Sequence, residues 1–422
     1  MFINSVEKLD RPYQMNTFFK SIVHFFHFRE LLVLGFLIIL SNNCESQTIN
    51  SSKSQLLNNN WQNLFEQSYY SNYNRFPPLK KYWIDLSNSD RVTDFEPLSY
   101  GLDAILAMYE NTDSISYIED AIELTTNIIR KAQVTDLIPG NKFRLKDSYK
   151  GWIERGTDSS SGIFHLETVL SEVYFFEYVS RLLKDIYNDK NIYAIPQFRT
   201  FYNSTLDFIE ANIWDKWANR GMRYNKDKDR YLLLNRTHMA SHWAYIAAEL
   251  YFLTKNADRK SEYISFVNLY NTNLENNFRK YDKYISWNQT WDAQTVSTDT
   301  SIIQDVSHAN LVVSYLVEAY TLGLWKDFDS IQRIINTLKD KLWDPQDCLF
   351  RDNIDGSMFK PGNHHSTVGS FQADGFVKLT RYDKSLFEVY EQFINCSKYV
   401  TTWYQYGQLF ANLALSKKLL KK

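Results

Sequence analysis

From about residue 95 onward, apolar residues recur at every third or fourth position through long segments separated by short polar breaks. That spacing places one face of an α-helix against a core. The segments come in pairs. SYGLDAILAMYEN is followed by SISYIEDAIELTTNIIRKAQ, and SGIFHLETVLSEVYFFEYVSRLLKDIY by IPQFRTFYNSTLDFIEANIW. HMASHWAYIAAELYFLTK precedes RKSEYISFVNLYNTNLENNF, and DVSHANLVVSYLVEAYTLGLW precedes FDSIQRIINTLKDKLW. STVGSFQADGFVKLTRY precedes KSLFEVYEQFI, and TTWYQYGQLFANLALSKKLL closes the chain. The last segment lacks a following partner, and WQNLFEQSYY near residue 61 supplies one.

The two members of a pair differ in kind. First members such as HWAYIAAELYFL are nearly free of charge, whereas second members such as SIQRIINTLKDK carry charge at regular intervals. A helix that is apolar all round is buried, and one with a charged face is outside. First members start near residues 99, 161, 238, 305, 366 and 402. A long repeat with two helices per unit predicts helical hairpins stacked side by side. The expected fold is all-α, an (α/α)6 toroid with first helices inside and second helices outside. An (α/α)5 or (α/α)7 ring and an open helical solenoid are the alternatives. Residues 47–94 read as a lead-in and one helix, and 95–422 as a single catalytic toroid.

Composition refines this picture. The 422 residues carry 47 basic and 49 acidic side chains, a formal net charge of −2. Near neutrality removes the electrostatic case for a nucleic-acid partner. Gly (13) and Pro (8) are scarce, which disfavours a turn-rich β fold, while 29 Tyr and 11 Trp suit surfaces apolar on one side and wet on the other. LLVLGFLIIL at 31–40 follows Lys20 and Arg29 and precedes SNNCESQ. It is too short to span a bilayer and fits the core of a secretory signal over 1–46. The expectation is a secreted or periplasmic monomer with no membrane span after cleavage; a lipid anchor at Cys44 is the lesser alternative. Cys348 and Cys396 then remain and can pair in an oxidising compartment.

Polar and aromatic residues gather where inner helices begin: YKGWIERGTDSSSG, NRTHMASHW, QDVSHAN, NHHSTVGSFQADG and TTWYQYGQ. In a ring these starts meet at one mouth, and helix N-termini favour an anionic ligand. His238 and His242 lie one turn apart beside Arg236. The glutamate of a zinc HExxH motif is missing there, so neither metal nor cofactor is expected. Asp305 reads as a helix N-cap or as the acid partner of His308, with Asn310 in the same turn. Glu154 and Arg155 read as a surface ion pair or as substrate contacts, and one of His364 and His365 faces solvent. Glu154, Asp305 and Asp374 supply carboxylates, but no two stand out as the pair a glycoside hydrolase needs. A mouth rich in His, Asn, Tyr and Arg suits β-elimination from a uronate instead.

LLNRTHMASHWAYIAAELYFLT resembles the Asn-His segment of toroidal alginate lyases, in which an asparagine precedes a histidine and then a tryptophan on an inner helix. QDVSHANLVVSYLVEAY resembles the next inner helix of such enzymes. The resemblance covers about 100 residues around 232–325. It implies that Asn235 or Asn310 neutralises a uronate carboxylate and that His238 or His242 acts as base or stabilises the carbanion. Such enzymes place a tyrosine near the position of His308, where this chain has Ser307 and Ala309. His308 or a tyrosine such as Tyr404 then takes that role. The expected function is cleavage of an anionic, alginate-like polysaccharide, with Arg236 at the carboxylate, Trp152 stacked on a neighbouring sugar, and Glu154, Arg155, Asp305 and His365 among the substrate contacts. A hydrolase or an epimerase on the same ring, and a non-catalytic glycan-binding protein, are the alternatives.

Overall fold

The computed structural model describes residues 60–73, 76–138, 146–158, 162–166, 169–225, 232–233, 236–290, 303–358, 368–396 and 403–421. The signal segment expected over 1–46 lies outside them. The chain is all-α. Fourteen α-helices occur among the described residues: α1 (Trp61–Tyr70), α2 (Leu79–Ser87), α3 (Phe95–Thr112), α4 (Ile115–Arg130), α5 (Val169–Asn188), α6 (Lys190–Ala194), α7 (Pro196–Ile209), α8 (Lys216–Asn225), α9 (Thr237–Leu253), α10 (Ala257–Asn277), α11 (Val306–Thr321), α12 (Phe328–Thr337), α13 (Leu386–Cys396) and α14 (Trp403–Leu419). Among the described residues the named strands pair as four two-stranded antiparallel sheets.

Burial separates the helices as their composition predicts. In α9, 14 of 17 residues are buried, against six of 21 in α10. The six are Tyr263, Phe266, Val267, Tyr270, Leu274 and Asn277, a stripe at three and four spacing. Thus α9 is enclosed and α10 lies over it with one face in water. Side-chain caps set several starts. Asn256 accepts from the backbone N–H groups of Asp258 and Arg259 at α10, and Asp305 accepts from that of His308 at α11. Pro196 opens α7, where its missing N–H costs nothing.

The enclosed helices follow one another in a cycle. α3 packs on α5, α5 on α9, α9 on α11, α11 on the turn Phe376–Arg381, that turn on α14, and α14 back on α3. Each has an outer neighbour: α4, α7, α10, α12, α13 and, for α14, α1. The five enclosed helices run parallel. Glu177 meets His242 and His238 meets His308 near the starts, while Lys184 bridges Glu249 and Glu318 near the ends. Gln408 reaches Asp103 early in α14 and α3, and Lys418 reaches the Glu110 carbonyl late. The starts of these helices therefore share one side of the molecule.

Two expected inner helices differ. The segment from 161 is helical only from Val169, because Glu154–Asp158 and Gly162–Leu166 form an antiparallel hairpin before it. The segment STVGSFQADGFVKLTRY makes two short 3-10 turns, Val368–Ser370 and Phe376–Arg381, instead of an α-helix. Its backbone is engaged elsewhere: Asn310 Oδ1 accepts from the N–H of Gly375 (2.8 Å) and of Phe376 (2.9 Å). A Cβ on Gly375 would stand 2.0 Å from the Asn310 carbonyl oxygen and 2.4 Å from the Ser314 nitrogen. Only glycine lets the turn approach α11 this closely. Gly375→Ala is expected to destabilise the fold by about 3 kcal/mol or more, seen as a lower urea midpoint. A midpoint unchanged from the wild type would refute the close approach.

Candidate active site

The site begins with the first turn of α11. Asp305 caps it through Oδ1, which accepts from the His308 backbone N–H (3.1 Å) and the Ser307 hydroxyl (2.6 Å). The second oxygen, Oδ2, meets His308 Nδ1 at 2.7 Å. One carboxylate thus closes the helix and fixes the imidazole. Burial works against the Asp305 charge, but the charge and hydrogen bond of His308 overcome it and hold this carboxyl well below the usual range. With Nδ1 on Asp305, ring geometry leaves Nε2 on the far edge, and the His308 side chain is 34% exposed.

His238, from the first turn of α9, lies over His308 with ring centroids 4.1 Å apart. It is buried, and its Nδ1 has no hydrogen-bond partner among the described residues. Burial first, then His308, Arg236 and His242, push its pKa well below the usual histidine value, against the opposing pull of Asp305. The native ring is therefore neutral near pH 7. The unfolded ring takes up a proton as pH falls through about 6.5, and stability drains at about 1.4 kcal/mol per pH unit below that. Other groups titrate in the same window, so the difference between wild type and His238→Gln isolates it. Wild type is expected to lose stability relative to this variant between pH 7 and pH 5 in paired urea melts; a constant difference would refute a neutral buried ring.

His242, one turn further along α9, is paired differently. Its Nδ1 lies 2.7 Å from Glu177 Oε2 on α5, and its ring lies over Tyr174 with centroids 4.1 Å apart. Both His242 and Glu177 are buried, and His242 Nε2 has no hydrogen-bond partner among the described residues. Glu177 and Tyr174 were not among the residues expected from sequence. The available signal was a carboxylate inside the apolar run VYFFEYV on an enclosed helix, where an ionisable group needs a partner.

Behind this layer the enclosed helices bury a polar network. Asp374 Oδ1 accepts from the Tyr178 hydroxyl (3.0 Å) and the Gln408 amide (2.6 Å). Burial, with the charge of Asp103, raises its carboxyl to about 7. Asp103, fully enclosed, pairs with Arg181 (2.6 Å) and Lys378 (2.9 Å) and accepts from Gln408 and Asn412. Asp374 thus belongs to the interior network and not to a catalytic acid pair.

The other expected residues fall in three groups. Arg236 is half-buried, bridged through its backbone to Thr290, and burial works against its charge while Asp305 supports it. Trp152, expected to stack on a sugar, is instead in the core. Phe95, Phe176 and Phe208 surround it and its indole N–H donates to the Ile128 carbonyl (3.1 Å). Asn310, expected at a substrate carboxylate, is instead buried, with its amide oxygen committed to the Gly375 and Phe376 N–H groups. Glu154 and Arg155 lie on the hairpin strand Glu154–Asp158 and Tyr404 on the first turn of α14, but their side chains are outside the described set, as are Asn235, His364 and His365. Among the described residues no group of three or more His, Cys, Asp or Glu is arranged to hold a metal ion.

A shallow cavity of about 500 Å³ lies at the opposite ends of α3, α5 and α14, lined by Tyr109, Glu110, Asp185 and Lys418. No histidine borders it, so it is separate from the imidazole cluster. Set against family models, curated proteins and solved structures, the chain matches none of them.

Proposed function

We propose that this protein is a secreted polysaccharide lyase that cuts a uronate-containing, alginate-like polymer by β-elimination on an (α/α)6 toroid. The cyclic packing of six inner elements, each with an outer helix, supports the ring. The observation that carries the chemistry is the close, tilted ring pair His238–His308, with His308 held on Asp305. A hydrolase needs two free carboxylates about 5 to 9 Å apart across the scissile bond. Among the described residues, the carboxylates that contact the cluster, Asp305 and Glu177, are each bound to an imidazole.

In this reading the uronate carboxylate lies toward Arg236 and the positive starts of α9 and α11, which stabilise charge as it spreads from C5 into the carboxyl group. Asp305 keeps the Nδ1 proton of His308 in place, so Nε2 receives the C5 proton. Neutral His238, lying against His308, hinders a second positive charge from being shared within the pair. Secretion is part of the same proposal and is supported by Cys348, which is disulfide-bonded. Among the described residues no helix is long and apolar enough to cross a membrane.

Purified protein incubated with alginate, glucuronan and pectate is expected to give a C4=C5 unsaturated uronate, followed by its ultraviolet absorbance. Reducing ends without ultraviolet product would establish a hydrolase instead. Polymer binding with no product would establish a glycan-binding protein.

A further inference from the structure

Glu177 and His242 form a second carboxylate–imidazole pair beside the first, and the base chemistry above leaves it unused. The two pairs come from different helices, Asp305 with His308 on α11 and Glu177 of α5 with His242 of α9. His238 lies close to both: its ring is tilted over that of His308 with centroids 4.1 Å apart, and it sits one turn from His242 on α9. Glu177 and Tyr174 contact the His242 ring, and His238 interacts with it electrostatically.

An imidazole bound to a carboxylate through Nδ1 offers only Nε2 for anything else, and these nitrogens sit on opposite edges of the ring. His242 Nε2 is buried without a hydrogen-bond partner among the described residues. A buried polar atom of this kind is costly unless something completes it. A substrate oxygen would complete it. β-Elimination also needs a second proton donor. As the C5–H bond breaks, its electrons form the C4=C5 double bond, the C4–O bond breaks, and the departing oxygen must gain a proton.

We infer that His242 is the general acid of the elimination, donating its Nε2 proton to the departing glycosidic oxygen, and that Glu177, bound to Nδ1, is the positioning residue that holds the ring for that step. This rests on the lyase reading. The proton count closes: His308 gains the C5 proton, His242 loses one to the leaving oxygen, and exchange with water resets both rings. No oxidant, reductant or metal takes part. Glu177 stays bound to Nδ1 throughout, so the ring keeps one orientation while its Nε2 proton leaves and returns.

The test uses the full chain and two independent readouts. Nitrogen-15 spectra of the histidine side chains report ring protonation without any substrate. Glu177→Gln is expected to shift the His242 Nδ1 signal away from its wild-type position, with Glu177→Asp restoring it in part. A His242 signal unchanged by Glu177→Gln overturns the positioning role. In the second arm, His242→Gln is expected to lose roughly 100-fold or more in kcat on the natural polymer. It should retain near wild-type turnover on a uronate whose C4 substituent is a nitrophenoxide, which leaves without help from an acid. Equal loss on both substrates overturns the acid role. If the wild type eliminates neither substrate, the lyase reading fails and the acid role with it, while the spectra still decide whether Glu177 governs the ring.

Discussion

Asp305→Asn is expected to lower kcat on the cleaved polyuronate by roughly 1000-fold, with little change in KM. The carboxylate makes two kinds of contact, and this substitution separates them. Asn caps helices about as well as Asp, so the start of α11 and the Ser307 contact should survive. The bond from Oδ2 to His308 Nδ1 changes character. An amide does not stabilise a protonated imidazole, and it can stabilise the tautomer whose proton sits on Nε2, where the base must be bare. An Asp-to-Asn change beside a catalytic histidine costs up to about 10⁴ in kcat in a serine protease. The partly exposed His308 here warrants a somewhat smaller figure. Asp305→Ala should lose similar activity and also about 1 kcal/mol of stability from the missing cap. Full turnover by Asp305→Asn, measured on a polymer that the wild type cleaves, would remove His308 from the reaction.

Arg181→Leu is expected to cost about 3 to 5 kcal/mol of stability. The guanidinium is 2% exposed and bridges Asp103 on α3, itself 0% exposed, and Glu110 further along the same helix. Burial would raise the Glu110 carboxyl, and Arg181 opposes that and keeps it low. Without Arg181, Asp103 retains Lys378 as its counter-charge, while Glu110, 30% exposed, loses the cation that does most to lower its carboxyl and keeps Arg381 and Lys184. Removing one member of a buried ion pair leaves a charge in a low dielectric, which costs more than the pair contributed. Urea unfolding followed by circular dichroism measures the loss, and Arg181→Leu combined with Asp103→Asn and Glu110→Gln should recover part of it. A loss under about 1 kcal/mol would mean that water reaches this network freely.

The helices are legible in the sequence because burial and charge leave opposite marks. The uncharged runs of α9 and α11 and the charged stripes of α10 and α12 are read directly from side-chain type, and the pairing of Trp61–Tyr70 with the last helix follows from counting partners. The stretch 366–382 departs from the expected helix because apolar spacing alone does not reveal Gly375, whose backbone N–H goes to Asn310 instead of to a helical turn. The three clustered histidines are within reach of sequence reasoning because all lie near helix starts among polar residues. Asn310 and Trp152 escape it for one reason: both are residue types that serve a sugar site and a packed interior equally well, and only coordinates separate the two. Glu177 escapes it because its partner lies 65 positions away, beyond the reach of any local pattern.

The pairing of α14 with both α1 and α3 has a consequence for biosynthesis. Gln408 and Asp103 are 305 positions apart, yet they bond directly. On a ribosome the apolar sides of residues 61–70 and 95–112 emerge long before residues 403–419 exist to cover them. Contacts so distant along the chain are made last and slow the search for the native state. The apolar faces that α14 covers therefore stay open until translation ends, and are exposed to aggregation until then.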